Sequence, residues 1–107
     1  MNTEESNRVV QNCKDALAKV YGKRLKGVIL YGSVARRTAR KNSDIDLLIL
    51  LSPPFDYFAE LRRIVDVLYP VQLESERLIS AKPVLASDFA SGSLALYRNA
   101  AREGMAV

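Results

Sequence analysis

The chain has 107 residues, 49% of them hydrophobic, with 16 basic and 12 acidic side chains and a formal net charge of +4. That length suits a single domain over residues 1–107, the apolar content suffices for a core, and no apolar run approaches the roughly 18 residues of a membrane span. The chain has no histidine, which excludes histidine general acid–base catalysis, histidine metal ligands and histidine-dependent nucleophile triads.

The mild basic excess fits a phosphate-bearing substrate or an acidic partner. The basic residues are scattered and no aromatic-rich RNA motif accompanies them, so RNA binding is not expected. The N-terminus, M-N-T-E-E-S-N, is acidic and polar, unlike a signal peptide. The lone Cys13 cannot form an internal disulfide and is expected as a buried thiol. Together these features point to the cytoplasm.

In chain order, residues from about Thr3 to Tyr21 are predicted to be helical. Thr3 can cap the helix, and Glu4 and Glu5 suit its positive end. Val9, Cys13, Ala16, Leu17 and Val20 recur at helical spacing as one apolar stripe. Gly22 stops the helix, and Lys23–Lys26 lead into a first strand over Val28–Tyr31. Gly32-Ser33 follows, then a short helix from Val34 to about Ala39 and a turn at Asn42-Ser43. Leu47–Leu51 is a second buried strand, preceded by Asp44-Ile45-Asp46. Ser52-Pro53-Pro54 ends it. A second long helix begins near Asp56, with Phe58, Leu61, Ile64, Val65 and Leu68 as its buried stripe.

Pro70 leaves two possibilities open. Residues 71–76 are either a new strand, because proline breaks helices, or the end of a kinked helix, because Gln, Leu and Glu favour helix. Leu78–Ala86 is predicted as a strand, and Pro83 marks it as an edge or a bulge. Ser87-Asp88 turns the chain, and Leu94 to about Glu103 closes it as a helix ended by Gly104. The Met105–Val107 tail, with Phe55, Tyr57, Phe89, Leu94, Leu96 and Tyr97, forms an apolar margin that either finishes the core or meets another subunit.

The chemistry-bearing stretch is V-I-L-Y-G-S-V-A-R-R-T-A-R-K-N-S-D-I-D-L-L-I-L-L, residues 28–51. In a strand alternate side chains share a face, so Asp44 and Asp46 point the same way and Ile45 points into the core. Two adjacent carboxylates repel unless a cation sits between them, and Mg²⁺ typically takes one or two carboxylates plus substrate phosphates. Gly32 permits a tight turn with close backbone approach, and Ser33 would cap a helix whose free N–H groups attract anions.

Gly32-Ser33, ten residues, then Asp44-Ile45-Asp46 resembles the G-S-x10-D-x-D signature of the nucleotidyltransferase superfamily that includes DNA polymerase β. At this length the chain is similar to the minimal nucleotidyltransferases, or MNT domains. The resemblance implies an α/β (α+β) nucleotidyltransferase fold, a small mixed sheet of three to four strands flanked by helices. It also implies Mg²⁺-dependent transfer of a nucleoside monophosphate, with AMP from ATP expected, to a hydroxyl. Asp44 and Asp46 would be the catalytic metal ligands, Gly32 and Ser33 would bind the triphosphate, and Arg36 and Arg40 could reach phosphate oxygens.

Two departures stand out. Ala35-Arg36-Arg37 replaces the usual A-R-G. The superfamily's third carboxylate, from a neighbouring strand, would be Glu74 or Glu76 if residues 71–76 are a strand. If they are helical, the outward positions of the Leu78–Ala86 strand are Ser80 and Lys82, and no acid is available. Minimal nucleotidyltransferases resembling this chain commonly pair with small helical HEPN proteins as toxin–antitoxin modules, which makes the antitoxin role the expectation. The alternatives are a weak or inactive MNT subunit that neutralises by binding alone, and a transferase acting on RNA ends. A homo-oligomer is also possible on these grounds.

Overall fold

The computed structural model describes residues 3–32 and 44–107. Helix α1 spans Thr3–Tyr21, followed by a single 3-10 turn at Gly22–Arg24. Strands β1 (Leu25–Tyr31) and β2 (Ile45–Leu51) come next, then helix α2 (Tyr57–Leu73) and strand β3 (Ile79–Leu85). Helices α3 (Ala86–Ser91) and α4 (Ala95–Glu103) and the short strand β4 (Met105–Ala106) complete the chain. This is the expected mixed α+β architecture. The Thr3 capping side chain, the helix at residues 34–39 and the Asn42-Ser43 turn fall outside what is described.

The sheet runs in the order β3-β2-β1-β4. β1 pairs antiparallel with β2 and with β4, whereas β3 pairs parallel with β2. β2 is central and apolar along nearly its whole length, as a strand covered on both faces must be. Ile45, Leu47, Ile49 and Leu51 point to one side, where Val9, Val10, Cys13, Leu17 and Tyr21 of α1 and Ile64 and Leu68 of α2 pack on them. Leu48 and Leu50 point to the other and join Ile29, Val84 and Ala100. Burial pushes the Cys13 thiol up to about 12, as the sequence leads one to expect of an enclosed cysteine.

Several expectations are refined. Val20 is exposed, and Val10 and Tyr21 take their places in the α1 stripe. In α2, Ile64 and Leu68 are buried, but Phe58 and Val65 face outward. Pro70 neither ends nor replaces the helix: α2 continues to Leu73, with Pro70 on its exposed side. The strand alternative for residues 71–76 is not realised. The Gln72 side chain ties the last turn of α2 to the start of β3, donating to the Arg77 carbonyl at 3.0 Å and accepting from the Ile79 N–H at 2.7 Å. Pro83 does lie on an edge strand, since β3 ends the sheet. Asp56 caps α2 by accepting from the Ala59 N–H at 3.2 Å.

The C-terminal margin divides. Phe55, Phe89, Tyr97 and Val107 pack partly against the core, while Leu94, Leu96, Tyr57 and Met105 remain exposed. The tail returns to the body: Met105 and Ala106 pair with β1, and the Val107 N–H donates to the Val28 carbonyl at 2.9 Å.

Away from the acidic end of β2, Glu60 of α2 is buried beside Arg24. Arg24 donates to its carboxylate at 2.5 Å and also to the Pro54 carbonyl, and the Tyr21 hydroxyl donates to Glu60 at 3.1 Å. The Tyr21 hydroxyl is pushed up to about 12, first by burial and then by this hydrogen bond. Removing one partner of such a pair strands the other charge, typically at a cost of about 3–5 kcal/mol. The Arg24 side chain is 27% exposed, so Arg24→Ala is expected to lose less, about 2–3 kcal/mol in urea unfolding. The double variant Arg24→Leu/Glu60→Leu is expected to lose less than Arg24→Ala alone, because no charge is then stranded.

Candidate active site at the open end of the sheet

The sheet face opposite α1 and α2 is not uniform. Its lower part is sealed by α3 and α4, with Phe89, Tyr97 and Ala100 over Ile29, Leu48, Leu50 and Val84. Beyond that cover the same face turns polar. The strand register places Tyr31 of β1 opposite Asp46 of β2, and Asp46 opposite Ser80 of β3. Lys82 stands beside Leu48, two residues further along the same face. Asp44 is exposed immediately before β2, and Ile45 is fully buried on the other side. The two aspartates thus flank a core anchor, as alternation requires.

Electrostatics single out Asp46. Its carboxyl is raised above its ordinary value, chiefly by burial and next by the nearby Asp44 charge, with Lys82 partly offsetting both. The Tyr31 hydroxyl is raised by burial, by Asp46 and by Tyr57. The site therefore holds more negative charge than its surroundings solvate well, and a cation would relieve it.

Gly32 is tied to this arrangement in two ways. Its φ of +80° lies in the left-handed region, which side chains other than glycine occupy at a cost. A Cβ at this position would also stand 2.5 Å from Asp46 Oδ2. The close approach of the backbone to the carboxylate is therefore available to glycine alone.

Glu74 is placed elsewhere. It follows the last turn of α2 and lines a recess with Arg8, Val9, Asn12 and Val71, on the α1 side of the sheet. Asp46 faces the opposite side, so Glu74 is not brought to the aspartate pair, and the strand that would have carried it there does not form. Glu76 lies in the bend before β3. Among the described residues no cluster of three carboxylate, cysteine or histidine side chains could hold a metal. Ser33, Arg36 and Arg40 lie outside the described residues. Tyr31 as a site neighbour escaped the sequence reading, because cross-strand register emerges only when the sheet is assembled.

The donor set fits a hard divalent cation held jointly with a nucleotide: two carboxylates side by side, one exposed, with coordination completed by phosphate oxygens. A four-stranded sheet with this acidic end and the glycine turn beside it is the architecture of a nucleotidyltransferase.

Comparison with known proteins agrees. The chain belongs to the family described as "Nucleotidyltransferase domain", whose model matches residues 10–87. It is 36% identical over 86 residues to a protein of Methanocaldococcus jannaschii named "putative protein adenylyltransferase", covering 77% of this chain and 83% of that one. Its fold matches the crystal structure of a "putative nucleotidyltransferase" from Sulfolobus solfataricus with a TM-score of 0.57 and 18% identity, over 99% of this chain and 86% of that one. The protein is a nucleotidyltransferase.

Gly32→Ala tests the contact with Asp46. It is expected to cost about 1–2 kcal/mol of stability for the left-handed backbone. It is also expected to weaken nucleotide binding by about tenfold or more, read by calorimetric titration with ATP. Unchanged affinity would separate Gly32 from the site.

Proposed function

We propose that this nucleotidyltransferase transfers AMP from ATP to a hydroxyl of a partner protein, and that it serves as the antitoxin of a HEPN/MNT module in the cytoplasm. The reading rests above all on Asp46, which stands against the Gly32 backbone at the open end of the sheet with the Asp44 charge nearby. The named activity of the Methanocaldococcus relative supports protein as the acceptor class. No helix among the described residues is long and apolar enough to cross a membrane.

In this reaction the acceptor oxygen forms a bond to the α-phosphorus, the bond from that phosphorus to the bridging oxygen of pyrophosphate breaks, and the acceptor loses its proton. Catalysis of this kind is mostly positioning and charge neutralisation. Bound Mg²⁺, held by Asp44 and Asp46, would supply Lewis-acid neutralisation of the phosphates. Asp46 is half-buried between Tyr31 and the Gly32 backbone, whereas Asp44 is exposed. Lys82 offers a positive charge on the same face for a phosphate oxygen. The apolar cover of Phe89 and Tyr97 bounds the site on one side. Ser33, Arg36 and Arg40 are proposed as further phosphate contacts.

A second reading has its own observation. β3 presents Ser80 and Lys82 to the site, and among the described residues no third carboxylate is there to take the acceptor's proton. A subunit that binds its partner without modifying it would be compatible with that.

Asp44→Asn and Asp46→Asn decide between them. Each is expected to lower AMP transfer to the co-purified genomic neighbour by about a hundredfold or more, a loss of about 2.7 kcal/mol of transition-state stabilisation, with no fall in melting temperature, because neutralising either charge relieves the burden on the raised Asp46 carboxyl. Glu74→Gln is expected to be silent. If both aspartate variants neutralise the partner as well as the parent does, the binding-only reading stands. If transfer persists within about tenfold, the aspartates are not the metal ligands.

A further inference from the structure

Helix α2 carries two apolar faces, and the fold uses only one. Ile64 and Leu68, with Val67 and Val71 beside them, pack into the core with α1 and the sheet. The second face consists of Phe58, Leu61, Val65, Tyr69 and Leu73, which recur every three or four residues and so form one continuous stripe. Leu61 is half-buried, but Phe58 is 72%, Val65 57%, Tyr69 58% and Leu73 67% exposed. Single exposed hydrophobic residues are ordinary. A line of them along a whole helix is a patch of the kind that marks an interface.

The stripe's place in the fold follows from its neighbours. Arg63, on the far flank of α2, lies over the Tyr21 ring of α1, so the stripe faces away from α1. Gln72, which borders the stripe, bonds to the start of β3. The stripe therefore runs along the β3 side of the molecule, where β3 is the sheet's edge and Leu78 adds a further exposed apolar side chain.

We propose that this face binds a second copy of the same chain, with the two α2 helices packed antiparallel about a two-fold axis near Val65. The spacing is nearly palindromic: Leu61 and Tyr69 lie four residues either side of Val65, and Phe58 and Leu73 lie seven and eight residues away. An antiparallel copy sets Phe58 against Leu73, Leu61 against Tyr69, and Val65 against itself, which is the self-complementarity an isologous contact requires. The charges agree. Exposed Arg62 and Asp66 lie one turn apart along one border of the stripe, so the two-fold places Arg62 of each copy within reach of Asp66 of the other. The patch has no net charge to select an acidic or basic partner. A seam of one 17-residue helix is about 25 Å long. With the adjoining Leu78 it is at the small end of stable interfaces, so a reversible dimer with a dissociation constant in the micromolar range is expected. The inference rests on packing alone and stands apart from the nucleotide chemistry at the other face of the sheet.

Sedimentation of the full chain from low to several hundred micromolar tests it. The parent is expected to pass from monomer to dimer, and Val65→Asp/Tyr69→Asp to weaken dimerisation by about tenfold or more. Both positions are exposed, so circular dichroism and melting are expected to stay unchanged. Orientation is read with a short bis-maleimide, since fully buried Cys13 does not compete. Val65→Cys is expected to cross-link to itself, and Phe58→Cys to cross-link with Leu73→Cys on mixing but not with itself. A parent that stays monomeric throughout overturns the proposal, as does a dimer unaffected by the double variant. Self-linking of Phe58→Cys would overturn the antiparallel arrangement. A monomeric parent whose binding to the genomic neighbour is lost in the double variant would assign the face to that protein and not to a second copy.

Discussion

The arrangement depends on β2 being covered on both faces while its first residues are not. From Leu47 to Leu51 every side chain is buried, alternately under α1 and α2 and under α3 and α4. That double cover fixes β2 by packing on both faces. At its N-terminal end the cover on one side stops, and the strand delivers Asp46, and Asp44 just before it, into the opening. Ile45 between them is held in the core, so the spacing of the two carboxylates is set by packing on the far side of the sheet.

The neighbours of β2 complete the site in complementary ways. β1 brings Gly32 against Asp46 at a distance that no side chain would permit. β3, arriving parallel after the α2 crossover, contributes a hydroxyl and an ammonium through Ser80 and Lys82. The cost of assembling like charges is visible in the raised Asp46 carboxyl, where burial outweighs the help from Lys82. A carboxyl raised in this way is a place where a cation would be favoured, because a positive charge nearby would offset both the burial and the Asp44 charge.

The helical layer has a different character. α1 and α2 are fastened at one end by Glu60, shared between Arg24 and Tyr21. Beyond this buried pair, α2 shows the solvent more apolar surface than a surface helix needs for its own fold. Fold stability is thus carried by one side of this helix, and the other side is left to the solvent.

Much of this was legible in the sequence. The apolar run of β2, the D-x-D alternation around Ile45, the glycine turn and the Asp56 cap are local signals, set by side-chain periodicity and backbone conformation, and they survive in the folded chain. The sequence alone pointed to the family, through the spacing of the glycine turn and the D-x-D pair. Three things were decided only by tertiary structure. Pro70 could have broken α2, but Gln72 fastens the helix end to β3, and with that bond the strand that would have carried Glu74 toward the aspartates disappears. Val65 fits a buried stripe by spacing as well as Ile64 does, because adjacent positions on a helix differ by only a fraction of a turn. Where the sheet lies relative to that turn selects one over the other. The pairing of Tyr31 with Asp46 depends on strand register, which comes from long-range packing and leaves no trace in any short stretch of the chain.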